Sequence, residues 1–133
     1  MRTPALGAIV LAVLAALTVQ AEDIVVIVNA AAKPVSKEQI ADVYLGRSAV
    51  LTPIDQTVGS SIYVEFYKKA TGRDLAQIKA IWSRILFTGR GLPPKQLPDS
   101  TSVKKAVAAN LNAVGYIEKS ALDASVKVAL PLD

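Results

Sequence analysis

An α/β fold, with a mixed sheet of about four strands flanked by helices, is predicted by three observations. Asp23 to Asn29 is a β-branched run without polar alternation, the pattern of a strand buried on both faces. Runs of that kind alternate along the chain with amphipathic segments that carry helix-capping residues, which is the pattern of βα units. No internal repeat or low-complexity tract interrupts the alternation, so one domain is expected over Glu22 to Asp133.

Each element has its own local signals. After the first strand, Ser36 with Gln39 forms a capping box that starts a helix striped by Ile40, Val43 and Tyr44. Gly46 supplies its left-handed end. Val50 to Ile54 is a short second strand, which Pro53 confines to an edge or to its own end. Gly59-Ser60-Ser61 opens a helix with Ile62, Phe66 and Ala70 inward, widened by Tyr63 and Tyr67, and Gly72 closes it. Asp74 caps a third helix whose inner face is Leu75, Ile78, Ile81, Trp82 and Ile85. Thr88 to Pro98 holds two Gly and three Pro and is expected to be irregular. Asp99 or Ser100 then caps a helix carrying Val103, Val107 and Leu111, and Val114–Ile117 and Val126–Leu130 are the last strands.

The start of the chain reads differently. Met1-Arg2 is followed by an apolar run from Leu6 to Leu17 and then by Val19-Gln20-Ala21. This predicts a signal peptide over residues 1–21, cleaved after Ala21, and hence a secreted protein. The run is too short to cross a hydrocarbon core of about 30 Å. No stable membrane span is expected after cleavage. The competing reading is a retained anchor.

Composition excludes several chemistries. With neither His nor Cys in 133 residues, there is no Ser-His-Asp triad, no thiolate nucleophile, no disulfide and no His or Cys metal ligand. No metal or cofactor is expected. The net charge is +4, but the basic residues are scattered, with Lys68-Lys69 and Lys104-Lys105 the adjacent pairs. No basic run or aromatic stripe suggests a nucleic-acid partner. No carboxylate pair stands at a spacing that argues for catalysis.

Four stretches in order carry a resemblance. Ser36 to Gly46 is similar to the Leu-Ser-x-x-Gln-Leu-x-x-Ile-Phe-x-Gly element of periplasmic phosphate-binding proteins of ABC transporters. Pro53-Ile54-Asp55-Gln56, followed by a Gly-Ser helix start, sits where that family places its anion loop. Trp82 to Pro94 resembles the Trp…Phe-x-Gly-x-Gly-x-Pro-Pro signature of its short bacterial members. Val107 to Tyr116 resembles the family's Val-x-x-x-x-x-Ala-Ile-Gly-Tyr return strand. The resemblance runs from about Val25 to Val128 and implies one lobe of a type II periplasmic binding protein, located in the periplasm. It also implies phosphate or a related oxyanion as ligand. An ABC transporter membrane component, or a second copy of the chain, is the implied macromolecular partner.

The family's phosphate loop reads Arg-x-Asp-x-Ser-Gly-Thr. When its Gly-Thr falls on Gly59-Ser60, its Arg falls on Ile54, its Asp on Gln56 and its Ser on Val58. The loop is therefore degenerate. Thr57, Gly59, Ser60 and Ser61 are the residues left to hold an oxyanion, through free N–H groups at a helix start and small hydroxyls. Arg90, on a Gly-flanked loop, is the candidate to add charge, with Arg47 and Arg84 as further possibilities. The bland alternative is that Ser60 merely caps the helix and the arginines are solvated surface. Trp82 and Tyr116 read as packing residues.

A single lobe leaves its ligand partly in water, so weak binding is expected, at about −4 to −6 kcal/mol. Two other functions compete with a non-enzymatic oxyanion-binding domain. One is an interaction module that kept the fold and lost the ligand, with Thr88 to Pro98 as its contact surface. The other is a small enzyme using Asp55 or Asp99 as a base.

Overall fold

The structure, a computed structural model, describes residues 23–132. The expected signal peptide therefore lies outside the described residues. The elements run β1 (Ile24–Asn29), α1 (Lys37–Tyr44), β2 (Thr52–Gln56), α2 (Ser61–Thr71), α3 (Leu75–Phe87), β3 (Lys95–Leu97), α4 (Ser100–Ala109), β4 (Ala113–Glu118) and β5 (Val126–Leu132), with a 3-10 turn at Lys119–Ala121. One five-stranded sheet has the order β3-β2-β4-β1-β5. β2 runs parallel to both β3 and β4, whereas β1 is antiparallel to β4 and β5. The class is the expected mixed α/β sheet between helices, with one strand more than expected.

The apolar run of β1, an interior strand between β4 and β5, feeds two cores. Ile24, Val26 and Val28 join Val114 and Tyr116 of β4 under α1, α2 and Ile78 of α3. Val25 and Ile27 face the other way, with Ala113, Ile117, Ile54 and the Val103 and Val107 face of α4. Three helices therefore cover one face and α4 the other.

Helix ends follow the local signals closely. Ser36 and Asp74 form reciprocal capping boxes with Gln39 and Gln77. Ser60 and Asp99 accept from the N–H of Tyr63 and of Ser102. Gly46, at φ 76°, ends α1, with its N–H on Val43 and the next N–H on Asp42.

Three expectations change. β2 begins at Thr52 and is an interior strand; β3 pairs only with Ile54 to Gln56, so Pro53 lies beyond the ladder on that side. β3 itself was expected to be irregular, but Pro93, Pro94 and Pro98 fall just outside its three residues and block none of its pairing. Leu111 lies past the end of α4 and is exposed. Trp82 packs against the core as expected, half-buried, with its indole N–H donating to the Tyr44 carbonyl at 3.2 Å.

Gly115 sets how closely α4 approaches the sheet. A Cβ there would lie 2.5 Å from Val103 Cγ1 and 3.3 Å from Val107 Cγ2. Both valines are buried and stiff at χ1, so they cannot swing aside. Gly115→Ala is expected to lower unfolding free energy by about 1–3 kcal/mol in a urea titration. A change under a few tenths would show that α4 can retreat freely.

Candidate oxyanion site

The strand directions place the site. Because β2, β3 and β4 are parallel, their C-terminal ends share one edge of the sheet. The chain leaves β2 for α2 on the face of the larger core, and leaves β3 for α4 on the opposite face. Neighbouring parallel strands whose helices diverge in this way open a crevice at their carboxyl ends, where open α/β sheets bind ligands. The Val58 N–H donates to Gln96 Oε1 at 3.0 Å and ties the two strand exits together.

Thr57, Gly59 and Ser61 are exposed there and Ser60 is half-buried. Gly59 takes φ 86°, a conformation that suits glycine, and a Cβ on it would meet open space. The Ser60 N–H turns back to the Thr57 carbonyl at 3.0 Å, and Ser60 Oγ accepts from the Tyr63 N–H at 3.4 Å. The N–H groups of Ser61 and Ile62 have no intrahelical acceptor. Among the described helices α2 alone has neither an acidic cap nor an acid in its first turn: α1 has Glu38, α3 has Asp74 and α4 has Asp99. Its positive dipole end is thus left uncompensated by its own residues.

Behind this loop sits a buried carboxylate. Asp55 is 2% exposed and accepts hydrogen bonds from the Tyr116 hydroxyl at 2.9 Å and the Tyr67 hydroxyl at 3.0 Å. Tyr116 in turn accepts from the Gln56 N–H at 3.1 Å, and the Tyr44 hydroxyl donates to the Ile54 carbonyl at 2.8 Å. Burial pushes the Asp55 carboxyl up to about 7, although both tyrosine hydroxyls pull it down. Burial and then the Asp55 charge raise Tyr63 to about 12, and the same two causes raise Tyr44, Tyr67 and Tyr116 well above the ordinary phenol value. On the other side of β2, Gln56 Nε2 donates to Ser100 Oγ and to the Tyr116 carbonyl, both at 3.0 Å, and Ser100 Oγ donates to Glu118.

The surroundings of Ile54, Gln56 and Val58 differ from one another. Ile54 packs in the smaller core, Gln56 is engaged by Ser100 and Tyr116, and Val58 is exposed. None of the three supplies a charged ligand. A hollow of about 250 Å³ beside the loop is lined by Asp55, Val58, Tyr63, Trp82 and Lys79 among others. Its lining does not include Thr57, Gly59, Ser60, Ser61 or Arg90.

Thr57 and Gly59–Ser61 are brought together; Arg90 is placed elsewhere. It lines a cleft with Gly46, Arg47, Thr52 and Pro53, at the N-terminal end of β2, whereas the Gly59 loop follows that strand's C-terminal end. Sequence spacing carried no signal of that separation. The Asp55 network was also missed, because its donors lie 12 and 61 residues away. An acid inside a strand, in a chain with several core-facing tyrosines, was the available hint. Among the described residues no group of three or more Asp or Glu is arranged to hold a metal ion. No described helix is long and apolar enough to cross a membrane.

No protein-family model matches the chain, and no curated protein matches it. Solved structures do. An ABC-type phosphate transport receptor from Vibrio cholerae aligns with a TM-score of 0.60 at 17% identity, covering 80% of this chain and 45% of that one. A protein described as a phosphate ABC transporter substrate-binding protein, from Clostridium perfringens and solved with bound phosphate, aligns at 0.62 and 21% identity over 80% and 44%. PstS from Borrelia burgdorferi aligns at 0.55 and 12% identity over 80% and 46%. The chain therefore shares the fold of part of these binding proteins and spans less than half the length of each.

Proposed function

We propose that this protein is a non-enzymatic oxyanion-binding domain of the periplasm, exported by the signal peptide read at residues 1–21, with phosphate the first ligand to test. The observation that carries the reading is the uncompensated α2 start, Thr57 with Gly59–Ser61, at the crevice where β2 and β3 send their helices to opposite faces. The shared fold of phosphate-binding receptors supports it. A phosphate oxygen would take the Ser61 and Ile62 N–H groups and the hydroxyls of Thr57 and Ser61. With no guanidinium at this point and one open side, binding is weak. An ABC transporter membrane component, or a second copy closing the open side, is the partner this reading calls for.

Isothermal titration with phosphate, and with sulfate as control, tests it. Saturable binding in the millimolar to high micromolar range is expected; Ser61→Ala, which removes a ligand hydroxyl, and Ser60→Ala, which removes the cap that holds the helix start in place, should each weaken it by about 1–3 kcal/mol. Absence of saturable heat from a folded sample at millimolar phosphate counts against the site. One observation favours a second reading, an interaction module: Phe87 is 92% exposed and Leu92 79% exposed, next to the half-exposed Leu86. A folded protein that ignores phosphate and is held by a partner through those side chains would establish that alternative.

A further inference from the structure

Three helices of this protein end in the same dipeptide. Gly46-Arg47 follows α1, Gly72-Arg73 follows α2 and Gly89-Arg90 follows α3, and each glycine has a positive φ. At α1 and α3 the geometry is the same in detail. The Gly46 and Gly89 N–H groups reach back to Val43 and Leu86, and the Arg47 and Arg90 N–H groups to Asp42 and Ile85. The three ends, with Arg84 in the last turn of α3, converge on one cleft of about 520 Å³. Gly46 makes the convergence possible, because a Cβ there would lie 2.4 Å from Ile85 Cδ1 and 3.2 Å from the Trp82 ring.

Arg47, Arg73, Arg84 and Arg90 all line this cleft, and among the described residues no carboxylate does. Asp42, which does not line the cleft, pairs with Arg47 at 3.7 Å, both side chains being about half exposed. Basic residues at helix ends can simply complement the carbonyl dipoles. Here, however, no guanidinium of Arg47, Arg73 or Arg84 hydrogen-bonds a helix carbonyl among the described residues, and Arg90 Nε donates to Thr88 Oγ1. Arg47, Arg84 and Arg90 are exposed, so their guanidinium groups are open to a ligand.

We propose that this cleft binds a compact polyanion carrying two or more phosphoryl groups, of the pyrophosphate class. Guanidinium groups match phosphoryl oxygens bidentately, and four of them are more than one phosphate dianion can neutralise. A bridged pair of phosphoryl groups carries more charge than one phosphate and offers oxygens to arginines from separate helix ends. The site lies at the end of β2 opposite the Gly59 loop and does not depend on the reading of that loop. The cleft is wet, so binding weakens steeply with salt.

The test is isothermal titration of the protein with sodium pyrophosphate at low ionic strength, beside phosphate and sulfate. Pyrophosphate should bind about tenfold or more tighter than either, and Arg84→Ala with Arg90→Ala should weaken it at least about tenfold. Arg84→Lys, which keeps the charge but loses the fork, should fall between. Ser60→Ala should leave pyrophosphate binding unchanged while weakening phosphate at the other site. All four arginine positions border solvent, and unchanged circular dichroism melting would confirm folded variants. Lack of saturable pyrophosphate binding, or binding lost in Ser60→Ala but kept in the arginine variant, overturns the proposal. So does arginine-dependent cosedimentation with phosphatidylglycerol vesicles without pyrophosphate binding, which would make a lipid headgroup the source of the phosphate.

Discussion

Unfolding of this protein in urea is expected to become easier as pH rises from about 4 to about 7, by on the order of 4 kcal/mol, and to lose that slope in Asp55→Asn. The cause is the Asp55 carboxyl, raised from 3.8 to about 7 by burial. The folded chain holds this proton more tightly than the unfolded chain does. The stabilisation is therefore complete below the unfolded value and is lost as pH climbs through the folded one. Solvent screens little of it, because the group is 2% exposed. The absence of histidine leaves no imidazole to titrate in the same window. Tyr67→Phe gives a second reading, since losing that donor should carry the fall to higher pH. A slope that survives in Asp55→Asn would assign it to another group.

Phe66→Ala is expected to cost about 3–5 kcal/mol, seen as a lower urea midpoint at constant m-value. The ring is fully buried, stacked on Tyr116 with centroids 3.9 Å apart, and meets Tyr44 edge-on at 4.6 Å. The neighbours cannot collapse into the space it would leave. Tyr44 is tied to the Ile54 and Val114 carbonyls, and Tyr67 and Tyr116 to Asp55. A tethered wall keeps its cavity, which puts the cost near the top of the range. Phe66→Leu refills part of the space and should lose about half as much. A cost under about 1 kcal/mol for the alanine would mean that the aromatic cluster relaxes despite its hydroxyl bonds.

What could be read in the sequence was whatever neighbouring residues decide. Ser36 with Gln39, Asp74 with Gln77 and the glycine at position 46 act within one helical turn, and each stands where its chemistry placed it. The run Ile24 to Val28 carries its own burial, having no polar face to turn outward. β3 could not be read, because Lys95 to Leu97 is a strand only by virtue of Ile54 to Gln56 beside it. The candidate site divides along the same line. Gly59 to Ser61 is a contiguous helix start and was legible, whereas the position of Arg90 depends on how α3 packs against the end of α1. Asp55 read only as a candidate base, since only the folded chain brings Tyr67 and Tyr116 to it.

The position of β1 also bears on how the chain folds. The first strand is paired on one side by β4 and on the other by β5, so both of its ladders join segments far apart in the sequence. Contacts so far apart in sequence must close a long loop before they return any stabilisation, which makes folding slow relative to a helical protein of this size. The helices can form early from local contacts, but β1 must wait for Val114 to Glu118 to pair one of its sides and for Val126 to Leu132 to pair the other. Removing β5 would strip one whole side of pairing from β1 and uncover the apolar residues that side of the sheet shields.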